Sequence, residues 1–150
     1  MNSIPILFNR KILNRYLESY HTENIIDYQK KHEEILKWKK SVENSDLKRT
    51  KETSVQGLFL NSILAQVLGY SAMTGLSEWN QVAEIKSMLD GSEADCGLGF
   101  FSAAGKTVRA VVELKDAKIN LDKKQSRKSH LTPVEQAFSY AHKNGSGACG

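Results

Sequence analysis

The chain of 150 residues carries only two cysteines, Cys96 and Cys149, with no CxxC pair. That excludes a disulfide framework, argues against a zinc centre and points to a reducing compartment. The histidines, His21, His32, His130 and His142, show no metal-ligand spacing. Long apolar runs are missing too: the patch from Ile4 to Phe8 is interrupted by Arg10 and Lys11, well short of the roughly 20 apolar residues that a membrane helix needs. We therefore expect a cytoplasmic protein with no membrane partner. Internal repeats are absent, as are a Gly-rich cofactor loop and an Asn-Pro-Pro-aromatic tetrapeptide, so no methyltransferase is written in this stretch.

What remains is 40% hydrophobic and 25% charged, with a formal net charge of +4. This is the composition of a folded globule with room for one core. The positive balance is compatible with nucleic acid without requiring it.

Apolar periodicity predicts two amphipathic helices first, one through Ile12, Leu13, Tyr16 and Leu17, and a largely solvated one through Ile25, Tyr28, Ile35, Leu36, Trp38 and Val42. We assign residues 1–45 to an N-terminal helical segment and 46–150 to the core. The strongest helix follows, with Val55, Phe59, Ile63 and Val67 in one row, Leu60, Leu64 and Leu68 beside it, and Gly69 as its stop. Either Asp46 caps it, or Thr53 does so with Gln56 completing a capping box.

From Trp79 the pattern changes to three short segments, WNQVAEIKSML, ADCGLGFF and TVRAVVELK, separated by the turns DGSE and SAAGK. They read as a meander, and the near-continuous apolar run of TVRAVVEL suits a central strand covered on both faces. A polar, basic loop leads to a final helix with Thr132 as N-cap, Pro133 at its first position and Glu135 as the capping-box acid. An α/β domain is expected to return into its sheet after such a helix, so we expect a fragment of a longer polypeptide.

The chemistry concentrates on the second and third strands. If they pair as a hairpin, Asp95 and Glu113 lie at the same end of adjacent strands. Two converging carboxylates repel each other unless a cation lies between them. Magnesium suits that place, because it takes hard oxygen ligands and is commonly held by one or two carboxylates plus substrate phosphate. Lys115, two residues after Glu113, shares its strand face and sets an ammonium beside the acids. A metal that polarises a phosphoryl oxygen and a lysine that orients the attacking water together point to phosphodiester hydrolysis.

An acid on one strand followed by Glu113-Leu114-Lys115 on the next resembles the PD-(D/E)XK nuclease superfamily, with Ala94 where a proline usually precedes the first acid. Gln136 and Tyr140 resemble the QxxxY motif of its RecB-like branch. The order of KETSVQGLFLNSILAQVLGY, ADCGLGFF, VELKDAK and TPVEQAFSYA is similar to that of the N-terminal cleavage domains of type IIG restriction enzymes, over residues 50–145. The resemblance implies a restriction-endonuclease-like α/β core, with a small mixed sheet flanked by helices. It also implies a magnesium-dependent DNA endonuclease, in its full form fused to an adenine-specific DNA methyltransferase and target-recognition regions. Asp95, Glu113, Lys115, Gln136 and Tyr140 would be catalytic, with Asp95, Glu113 and Glu52 holding Mg2+. Lys123, Lys124, Arg127 and Lys128 lie where a double-stranded DNA backbone would run. The alternatives are a catalytically silent DNA-binding or assembly module of the same fold and a RecB-like repair nuclease.

Overall fold

The computed structural model describes residues 9–125 and 130–145. Arg127, Lys128, Cys149 and the Ile4–Phe8 patch lie outside those residues. Helix α1 (Arg10–Glu18) starts where Asn9 accepts bonds from the amides of Lys11 and Ile12, and its apolar row is exposed. Helix α2 (Tyr28–Glu43) has no buried residue, as its dense charge predicts. It packs on the core through Trp38, whose indole Nε1 donates to Ser62 at 2.7 Å and whose ring meets Phe59 edge-on.

The strong helix takes a form that periodicity did not specify. A short helix α3 (Asp46–Arg49) precedes α4 (Glu52–Phe59), which continues without a break into a π-helical segment, Leu60–Val67. Neither expected cap forms: Asp46 heads its own short helix, Thr53 lies inside α4, and Lys51 occupies the cap position without a side-chain bond. Leu60 and Leu64 are buried, whereas Leu68, the residue that closes the segment, is 59% exposed. The segment ends as expected at Gly69, with φ of +82°, a conformation that favours glycine. An open cavity of about 600 Å³ is lined by Trp38 of α2 and Val55 and Phe59 of α4 and reaches Leu114 and Lys115.

The sheet is a meander of β1 (Glu78–Lys86), β2 (Glu93–Ser102) and β3 (Gly105–Val112), in the order β1-β2-β3. Both pairings are antiparallel, which corrects the expected mixed sheet among the described residues. Short turns force that outcome, since a parallel neighbour needs a crossover of a dozen or more residues. The central strand is β2, not β3 as its apolar run suggested. Ala94, Cys96, Gly97 and Leu98 are buried, whereas Thr107 and Arg109 on β3 are exposed.

Each sheet face has its own core. Leu60 and Leu64 press on Cys96 and Leu98 on one side, while Ile85, Ala94, Phe101 and Val108 cluster on the other with Tyr140 packed against them. Gly97 makes room for Ile85, whose Cδ1 lies 2.7 Å from where a Cβ would stand. Helix α5 (Pro133–Lys143) carries the expected capping box in full. Its C-terminal end is tied to the β1–β2 turn by an ion pair between Lys143 and Asp90 at 2.7 Å.

Candidate active site

The last β2–β3 pair is Cys96 with Val112. One step further the same register would set Asp95 opposite Glu113, and the charge of Asp95 acts on the Glu113 carboxyl. The ladder has ended there, because β3 stops at Val112, and Glu113, Leu114 and Lys115 follow the strand instead of belonging to it. The amide freed by that exit finds the acid across the gap: Leu114 N donates to Asp95 Oδ2 at 2.6 Å. Leu114 itself packs into the core beneath the π segment.

Glu113 and Lys115 leave the chain on the same side, as their spacing predicts, and form an ion pair through Glu113 Oε1. The Glu113 side chain is only 6% exposed and that of Lys115 17%. The second carboxylate oxygen, Glu113 Oε2, is buried with no hydrogen-bond partner. A buried anionic oxygen without a donor is costly. Burial pushes the Glu113 carboxyl above its ordinary value against the pull of Lys115, and Asp95 and Glu52 push the same way. Burial draws Lys115 down, yet its bond to Glu113 and the charges of Glu113, Glu52 and Asp95 outweigh that, leaving it above its ordinary value. Three acids and one lysine thus act on each other across elements that the sequence separates.

Helix α4 supplies the remaining contacts. Glu52 Oε2 accepts from the Asp116 amide at 2.8 Å, which brings the helical acid to the segment after β3. Gln56 Nε2 approaches Asp95 Oδ1 at 3.2 Å. Gln56, which the sequence offers as the partner in one of two alternative caps, instead lies against Asp95. The available signal was its spacing of four from Glu52, which sets both on one helix face. Beside Asp95 on β1, Glu84 has φ of +54°, a left-handed conformation in a non-glycine residue.

The Gln136–Tyr140 pair is formed, with Nε2 donating to Oη at 2.7 Å on α5. Tyr140 also packs against the core on the face opposite the π segment. Among the described residues neither side chain hydrogen bonds to Asp95, Glu113 or Lys115. Lys123 and Lys124 are exposed in the loop before α5, and Lys124 adds to the backbone hydrogen bond that holds Glu135 below its ordinary value. Among the described residues, no three His, Cys, Asp or Glu side chains are grouped as a ready-made metal cage. Magnesium does not need one, since substrate phosphate and water complete its coordination. No helix of the described residues is long and apolar enough to cross a membrane. The chain matches no protein-family model, no curated protein and no solved structure.

Proposed function

We propose that the chain is a magnesium-dependent deoxyribonuclease with a restriction-endonuclease-like core. The observation that carries this reading is Glu113. It is a buried carboxylate one register step beyond the Cys96–Val112 pair, with Lys115 on one oxygen and no partner on the other. Asp95 and Glu113 would hold the ion, with Glu52 assisting from α4. When bound, magnesium supplies the Lewis acidity that polarises a phosphoryl oxygen. Lys115 orients the attacking water and offsets negative charge as it develops on the phosphodiester. By the motif likeness Gln136 and Tyr140 would assist from α5, and Lys123, Lys124, Arg127 and Lys128 would contact phosphates. By the likeness of its motif order, the parent polypeptide is a type IIG restriction enzyme that also carries an adenine-specific methyltransferase.

The test is cleavage of supercoiled double-stranded DNA with magnesium, comparing the wild type with Glu113→Gln and Lys115→Ala. Magnesium-dependent nicking or linearisation by the wild type, lost in both folded variants, supports the reading. DNA binding that is indifferent to magnesium, with no cleavage, would instead establish a silent module.

A further inference from the structure

We infer that Gln56 is a positioning residue that fixes the orientation of the Asp95 carboxylate. Its amide nitrogen lies 3.2 Å from Asp95 Oδ1 and 3.4 Å from the Asp95 carbonyl oxygen, so a single donor spans side chain and backbone of that residue. The Leu114 amide holds the other oxygen, Oδ2, at 2.6 Å. Donors from two separate elements therefore address both oxygens, which removes rotation of the carboxylate about its Cβ–Cγ bond.

The side chain type matters as much as its place. A neutral amide stabilises the carboxylate without cancelling its charge, as a lysine would, and without repelling it, as a glutamate would. Outer partners of this kind set the geometry of metal-ligating carboxylates. Glu52, one turn earlier on the same face of α4, bonds to the Asp116 amide at 2.8 Å. One helix face thus braces both arms of the hairpin end, β2 through Gln56 and the segment after β3 through Glu52. The consequence for magnesium affinity rests on the nuclease reading, whereas the orientation of Asp95 does not.

The test uses the full chain with Gln56→Met, which keeps the length and loses the donor, and with Gln56→Glu. Circular dichroism confirms that both fold, as expected at a half-exposed position. Hydrogen exchange followed by NMR reads the Leu114 amide directly, with neither metal nor DNA present. Exchange at Leu114 is expected to accelerate about tenfold in Gln56→Met while the β1–β2 ladder stays unchanged. Calorimetric titration of magnesium is expected to weaken about tenfold in the same variant, and more in Gln56→Glu. Unchanged exchange at Leu114, or a uniform acceleration across the sheet, overturns the inference. Faster exchange at Leu114 with no magnesium binding by any of the proteins, whether alone or with DNA bound, supports the positioning role and overturns the nuclease reading instead.

Discussion

Replacing Asp95 separates its structural work from its charge. The carboxylate accepts from Leu114 N at 2.6 Å and from Gln56 Nε2 at 3.2 Å, across sequence separations of 19 and 39 residues. Hydrogen bonds to a charged group stabilise by about 1.5–3 kcal/mol each, so two bonds at this half-buried position contribute roughly 2–4 kcal/mol together. Asp95→Ala removes both acceptors and leaves the Leu114 amide facing a void. With a urea slope of roughly 2 kcal/mol per molar, its unfolding midpoint should fall by about 1–2 M. Asp95→Asn keeps an oxygen for Leu114, and the Gln56 amide can turn its own oxygen toward the new NH2 group, so its loss should stay below about 1 kcal/mol. Both variants should lose magnesium binding in calorimetric titration, one with the fold weakened and the other with it nearly intact. Equal midpoints for Asp95→Ala and wild type would refute the hydrogen-bond reasoning. Undiminished magnesium binding by Asp95→Asn would refute the assignment of Asp95 as a ligand.

Lys115→Met should leave the Glu113 carboxylate buried without its cation and cost about 1–3 kcal/mol at pH 7.5. Because burial already holds Glu113 above its ordinary value in the folded state and Lys115 pulls the other way, the folded variant retains its proton more readily than the unfolded chain. Stability is then greatest on the acid side and falls as pH rises above the usual carboxylate range, so urea midpoints at pH 5 should lie closer to wild type than those at pH 7.5. Burial pushes the Cys96 thiol up to about 11, so iodoacetamide at pH 8 should leave it unmodified in the folded protein and label it fully in urea, as read by mass spectrometry of its peptide. Thr132→Ala breaks the capping box of α5 and should lower stability by about 1 kcal/mol in urea unfolding; an unchanged midpoint would show that α5 draws nothing from its cap.

Local signals account for what could be read along the chain. The start of α5 follows from Thr132, Pro133 and Glu135, because a cap needs only residues three apart. The stop at Gly69 follows from the left-handed conformation that glycine tolerates. A two-residue turn between Ser102 and Gly105 makes β2 and β3 antiparallel and thereby brings Asp95 and Glu113 to one end. The pairing of Glu113 with Lys115 follows from the strand-like alternation of side chains.

Tertiary packing decided the rest, since burial and long-range partners depend on which surfaces meet. The apolar run of β3 reads as a central strand, yet β2 takes that place because both neighbours connect to it through short turns. The long helix gives no sign in its spacing of four that Leu60–Val67 will widen into a π form. Gln56 reads locally as a capping residue and becomes a partner of Asp95 only when α4 lies beside the hairpin end. The sequence marks Glu113 by its spacing from Lys115, but only the fold closes over it and leaves Oε2 without a donor. Types and spacings of these residues are properties of the sequence; the burial of Glu113 and its unpaired oxygen arise where segments distant along the chain pack together.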